Sequence, residues 1–260
     1  MDKSLQRTVA LLTTVFGITL CLTGPASATP STQSPGSALA GTLVGKNGTS
    51  LTVTAAVGLG NNITVWQVGD TIRVRDTGDA LAVFGGCTAL SATEAVCPGA
   101  GNLTELVVNA GDQSDYVTSS LTGLGVTLVG GSGDDNLQGG NANDTLEGDE
   151  GSDFLSGGGG NDTLTGASDA DRIFGGAGND SIEGRGSADV INAGPGNDVV
   201  SGGAGGDQVI AGTGNDFVEG GAGRDSINAV DDVSGNDYVQ GGTEVDTCTA
   251  DLGDNVSECP

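Results

Sequence analysis

The chain has 260 residues, 49 of them glycine, and carries 34 acidic against eight basic side chains, a formal charge of −26. Such acidity excludes nucleic acids and anionic membranes as default partners, because both would repel it. With few aromatics and abundant glycine, composition alone leaves two classes open: a disordered acidic segment, or an acidic protein completed by cations.

Residues 1–28 carry the pattern of a secretory signal peptide. Lys3 and Arg7 supply the positive start, residues 8–22 the apolar stretch, and Ala26-Ser27-Ala28 the small-residue cleavage site. The stretch is short and threonine-bearing for a membrane span. Lipidation at Cys21 is the alternative, although Leu20 before it is larger than lipoprotein signals want. Cleavage after Ala28 leaves 33 acids against six bases, and the mature chain is expected to be extracellular, free or at the cell surface, with no membrane insertion.

Residues 29–41 form a Ser/Pro/Thr-rich flexible tail. Residues 42–110 are a β-rich region: SLTVTAAV (50–57), NITVWQV (62–68) and TIRVRD (71–76) alternate as strands do. This region is either a cap on the repeats that follow or a separate binding module, and Trp66 is expected in the core of the cap. Four cysteines remain after cleavage, and an even number in an exported chain points to disulfides. Pairing by proximity gives Cys87–Cys97 and Cys248–Cys259. The chain has no histidine, which removes His-dependent triads and HExxH zinc sites. With so little sequence ahead of the repeats, no enzyme is expected.

Repeats occupy 111–249, beginning with the decayed GDQSDYV (111–117). From Gly130 to Asn228 the chain divides into eleven unbroken nonads, including GGSGDDNLQ, GGGGNDTLT and GGAGNDSIE. Position six is aspartate in every one: Asp135, Asp144, Asp153, Asp162, Asp171, Asp180, Asp189, Asp198, Asp207, Asp216 and Asp225, with Asp237 following a three-residue insertion. Position eight is always Leu, Ile or Val. Low-complexity disorder does not keep phase over 99 residues, so the region is expected to fold. Glycines at positions one, two and four permit the positive φ of a tight turn and leave carbonyls uncovered. Positions seven to nine then form a very short strand with position eight inward.

A second signal sets the size of a coil. Asn143, Asn161, Asn179, Asn197 and Asn215 hold position five in every even nonad and in no odd one. The period is therefore eighteen, with odd turns along one edge and even turns along the other, between two stacked sheets. At the strand spacing of ~5 Å, equivalent aspartates repel by about 1 kcal/mol in water and several-fold more near a protein surface. Something positive has to sit between the turns. Calcium suits a set of carboxylates and carbonyls; magnesium demands stricter geometry, and softer metals want histidine or thiolate.

The quoted nonads resemble RTX repeats, the haemolysin-type calcium-binding nonapeptides GGxGxDxUx. Residues 85–117 and 246–259 also look like exported bacterial, actinobacterial proteins of this group. The resemblance implies an all-β fold, a parallel β-roll. It places several calcium ions between turns, held by the position-six aspartates and by carbonyls around Gly131, Gly133, Gly158, Gly160, Gly176, Gly178, Gly194, Gly196, Gly203, Gly205, Gly212, Gly214, Gly221 and Gly223. Ala167, Asp169, Arg185 and Ser187 replace glycines on the odd edge, so Asp162, Asp180, Asp198 and Asp216 on the even edge are the best ligands. RTX toxins generally lack a cleaved leader; here the leader and the disulfide-closed tail 250–260 favour Sec export. The expected function is calcium binding coupled to folding outside the cell. The alternative is an adhesion, matrix or cell-wall-binding module scaffolded by calcium, with a protein or polysaccharide partner.

Overall fold

The computed structural model describes residues 41–231, 233 and 235–259. The leader 1–28, Cys21 and all of the tail 29–41 except Gly41 lie outside them. The described elements are strands apart from one 3-10 turn at Ala100–Asn102. They form two sheets of twelve strands each.

Successive nonads alternate between the sheets, and each strand pairs in parallel with the one eighteen residues on. Thr163–Ser168 lies between Thr145–Glu150 and Ser181–Gly186, with Leu146, Leu164 and Ile182 in register. Arg172–Ala177 does the same in the other sheet, aligning Leu155, Ile173 and Ile191. The insertion after Asn228 changes the spacing to twenty-one without changing the pairing, since Phe217 faces Tyr238. The expected parallel roll with two nonads per coil is what forms.

The strands are longer than expected. They run from position seven through position three of the next nonad, as in Thr163–Ser168. Position one therefore lies inside a strand, on its inner face, and alternates with position eight. The inner layer is a single row of aliphatics, Leu137, Leu155, Ile173, Ile191, Val209 and Ile227 on one sheet and Leu146, Leu164, Ile182, Val200, Val218 and Val239 on the other, none more than 1% exposed. Each contributes about 2 kcal/mol on burial. Ala193, Ala211 and Ala229 at position one add their methyls.

The N-terminal strands belong to the same two sheets. They are β1 (Thr42–Asn47), β2 (Ser50–Thr54), β3 (Asn62–Val68), β4 (Thr71–Asp76), β5 (Leu81–Phe84), β6 (Thr88–Ala89), β7 (Glu94–Pro98), β8 (Glu105–Asp112) and β9 (Tyr116–Ser119). β2 and β3 form a first coil, pairing in parallel with β8 and β9. Beyond them the chain doubles back in antiparallel hairpins, β1 on β2 and β4 on β3, and β7 extends the second sheet on β4. Thr42 Oγ1 donates to buried Asp76 Oδ2 at 2.6 Å, joining the two sheets.

Trp66 departs from expectation. Strand alternation directs Val65 inward at 0% exposure, so Trp66 lies on the outer face, with the Arg75 guanidinium 5.2 Å from its ring centroid. Both disulfides form as paired from sequence, with Cα separations of 4.2 Å for Cys87–Cys97 and 5.8 Å for Cys248–Cys259.

A core one side chain deep has little room to relax around a hole. Ile173→Ala is expected to cost about 2–4 kcal/mol in denaturant unfolding at saturating calcium. Its outward neighbour Arg172→Ala should stay within about 0.5 kcal/mol.

Candidate metal centre

The position-six aspartates line the inside of both edges, each between 1% and 4% exposed. In each, Oδ1 accepts the backbone N–H of the aspartate one coil earlier. On the odd edge the column runs through Asp115, Asp135, Asp153, Asp171, Asp189, Asp207, Asp225 and Asp246 at 2.6–2.9 Å, starting from the Asn61 N–H. On the even edge it runs through Asp144, Asp162, Asp180, Asp198, Asp216 and Asp237 at 2.8–2.9 Å, starting from the Val126 N–H. The aspartate carbonyl is used as well: Asp162 O accepts from the Ser181 N–H at 2.9 Å.

The second oxygen has no such partner. Among the described residues, Oδ2 of Asp115, Asp135, Asp153, Asp162, Asp171, Asp180, Asp189, Asp198, Asp207, Asp216, Asp225, Asp237 and Asp246 is buried and receives no hydrogen bond. Asp144, expected among the ligands, is different: its Oδ2 accepts the Gly140 N–H at 2.6 Å, which leaves it no free oxygen.

The position-one glycine explains where the orphaned oxygen lies. A Cβ on Gly157 would sit 2.3 Å from Asp162 Oδ2 and 2.6 Å from the Gly175 carbonyl oxygen. Sequence reasoning assigned this glycine to turn conformation, but its φ is ordinary; position one needs a small residue, glycine here and alanine at Ala193 and Ala211, so that a carboxylate and a carbonyl can approach the backbone. Positions two and four do take positive φ, except at Gly140 and Ala142 in the turn of Asp144. Their carbonyls reach across to the next coil, so that a Cβ on Gly214 (φ +142°) would meet the Gly196 oxygen at 1.4 Å. The odd-edge replacements keep this conformation, with φ of 92°, 69°, 77° and 68° at Ala167, Asp169, Arg185 and Ser187. Their carbonyls stay in the stack, since a Cβ on Gly205 would meet the Ser187 oxygen at 1.8 Å.

A buried acceptor beside other acceptors requires a proton or a cation. Burial raises the carboxyl pKa first, neighbouring aspartates add to it, and the N–H on Oδ1 opposes both. Asp135, Asp162 and Asp171 are pushed from 3.8 up to about 7. Asp115, Asp189, Asp198, Asp207 and Asp216 are pushed to about 6. Asp144, Asp153, Asp180, Asp225 and Asp237 shift upward from the same first cause.

The donor set fits a hard cation. It offers only oxygens, one orphaned carboxylate oxygen per turn beside rows of carbonyls. Among the described residues no three acidic, histidine or cysteine side chains converge on one point, so carbonyls and water would supply most of a shell, as calcium tolerates. The four described cysteines are engaged in disulfides, which leaves no thiolate among the described residues for a softer metal.

Two residues escaped sequence reasoning. Asp115 extends the odd column at its start and was visible in GDQSDYV, whose glutamine at position four hid the match; Asp246 extends it at the far end, where GGTEVDTCT (241–249) continues the odd repeat. Asn61 stands in the aspartate column of the first coil, but an extra residue in its turn conceals the register. The position-five asparagines have a structural explanation: each Oδ1 accepts the backbone N–H of the next, from Asn143 to Asn215, at 2.8 Å.

Raised folded-state pKa values mean that the metal-free fold holds extra protons between about pH 4 and 7. Their contribution to stability is full below pH 4 and lost as pH rises through 6 to 7. With calcium chelated, urea unfolding is expected to show a more stable roll at pH 5 than at pH 8. Saturating calcium should reverse the slope, because the ion binds the deprotonated form. Gly214→Ala forces a side chain into positive φ against a backbone oxygen, and is expected to cost about 1–3 kcal/mol in the same assay. Gly159→Ala, whose Cβ meets nothing closer than Asn141 Oδ1 at 3.4 Å, should be much milder.

No curated protein matches the chain. The RTX calcium-binding nonapeptide repeat matches it in four copies, at residues 129–164, 165–200, 201–233 and 230–256. These copies cover the strands and turns that carry all the described aspartate columns except Asp115. The chain is an RTX-type repeat protein, its β-roll built from the calcium-binding nonapeptide.

Proposed function

We propose that this is a secreted calcium-binding protein in which several ions between the turns drive the folding of the β-roll outside the cell. The observation that carries the reading is the row of buried, unpartnered Oδ2 atoms on both edges. When bound, calcium supplies the positive charge that these oxygens otherwise lack. The chain's part is to hold each carboxylate by Oδ1, to present Oδ2 beside carbonyls, and to exclude water by stacking the next coil. The position-six aspartates are the ligands, Asp144 excepted, with Asp162, Asp180, Asp198 and Asp216 on the even edge as the leading set. The leader pattern at 1–28 and the two disulfides support export. The reading is non-catalytic: the chain has no histidine, and the repeat accounts for nearly all its buried acids.

One observation favours the adhesion reading as a second possibility. Val199, Phe217 and Tyr238 are exposed on the outer face of one sheet, and the Phe217 and Tyr238 rings stack 5.0 Å apart. Retention of the calcium-loaded chain on cell-wall polysaccharide, lost in Phe217→Ser/Tyr238→Ser, would support it.

Titration calorimetry should detect several calcium ions per chain, and circular dichroism should show β-structure gained between chelator and millimolar calcium. Asp180→Asn is expected to reduce the ion count, whereas Asp144→Asn leaves it unchanged. A chain with no bound calcium and the same spectrum in chelator would sink the reading.

A further inference from the structure

We propose that residues 41–128 fold without calcium and form the template on which coils 129–259 wind when calcium arrives. This rests on the calcium-dependent roll proposed above and adds a direction to its folding. The distribution of orphaned carboxylates marks the division. Among the described residues, 41–128 contain two such oxygens, on Asp79 and Asp115, whereas 129–259 contain twelve. The apolar core runs the other way: Val44, Leu51, Ile63, Val65, Ile72 and Val74 sit in the N-terminal end at 0% exposure, on antiparallel hairpins closed by short turns. The Cys87–Cys97 disulfide ties the residue before β6 to β7 in the same unit.

Both aspartate columns begin with turns that contribute no carboxylate. On the odd edge the first position is Asn61, which is neutral. Its Nδ2 donates to Leu59 O at 2.9 Å and to Ala110 O and Asp115 Oδ1 at 3.3 Å. An amide donor thus stands among carbonyls and a carboxylate, where later coils have acceptors alone. On the even edge the first turn, 121–126, contains no carboxylate, and Asp144 above it has both oxygens bonded to N–H groups. Of the two buried acids inside the unit, Asp76 and Asp115, Asp76 is satisfied by Thr42 Oγ1 and by the N–H groups of Asn62 and Gly78.

β8 and β9 then offer one free edge in each sheet, and these edges receive Thr127–Ser132 and Asn136–Gly140. A coil that forms on a ready edge finds partners for its strands at once; a coil forming alone in the chain finds none.

Hydrogen exchange with mass spectrometry on the full, oxidised chain tests this. In chelator, amides of 42–119 should exchange at least 100-fold more slowly than an unstructured chain, and those of 148–250 at nearly the unstructured rate. Millimolar calcium should then slow 148–250 at least 100-fold. Unprotected 42–119 in chelator would overturn the proposal. If calcium changes nothing at 148–250, the calcium reading of the roll fails and the template role with it. Asn61→Asp removes the amide donor and adds a charge; it should lower protection of 42–119 in chelator at least tenfold, with recovery in calcium. No loss would remove Asn61 from the argument. Val65→Asp, which breaks the template core, should raise the calcium midpoint for roll folding at least threefold by circular dichroism. An unchanged midpoint would show that the N-terminal strands are passengers.

Discussion

The roll depends on a carboxylate held by one oxygen and bare at the other. Fixing Oδ1 on the N–H of the preceding coil places the side chain inside the turn, away from water. That position leaves Oδ2 facing carbonyls, where nothing in the protein can donate to it. The small residue at position one, glycine in nine nonads and alanine at Ala193 and Ala211, follows from the same arrangement, because a larger side chain there would occupy the carboxylate's space. So does the acidity of the chain, which would otherwise be a solubility feature of the surface rather than a property of its interior. Proton and calcium then become alternative occupants of one electrostatic need.

The hydrophobic contribution is thin by comparison. One aliphatic per strand makes a core that each coil shares only with its neighbours, so stability accumulates along the axis instead of around a centre. The hydrogen-bond columns compensate in direction as well as number. On the even edge, each aspartate receives an N–H from the coil before it, while each position-five asparagine receives one from the coil after it. Adjacent residues thereby clamp the coil spacing from both sides. The odd edge has this second clamp only near its start, where Asp134 accepts the Ser152 N–H; Ala170, Ala188 and Gly206 have no side chain that could continue it.

Much of this was legible in the sequence because the repeat is strict. The nonad phase gave the aspartates and the inward aliphatics, and the alternation of asparagine at position five gave the eighteen-residue coil. The role of position-one glycine was not legible, since a glycine wanted for its φ and one wanted for close approach look alike. Strand length was underestimated for a related reason: glycines at positions one and two resemble a turn, yet they carry strand pairing. Asp144 was indistinguishable from its equivalents, because what satisfies it is a different conformation around Gly140. Trp66 was misplaced by treating an aromatic as core by type, when the alternation of β3 gives that place to Val65.

The pairing of each coil with the one eighteen residues away also governs how such a protein can change its length. Removing or duplicating eighteen residues would leave every column continuous and every side chain on its own sheet. A change of nine would move the asparagines to the opposite edge and end their column at the junction. The insertion after Asn228 shows the tolerated form of irregularity: three extra residues precede the next strand, and Phe217 still meets Tyr238. Gene-level variation in a roll of this kind is thus confined to whole coils and to loops at the rim.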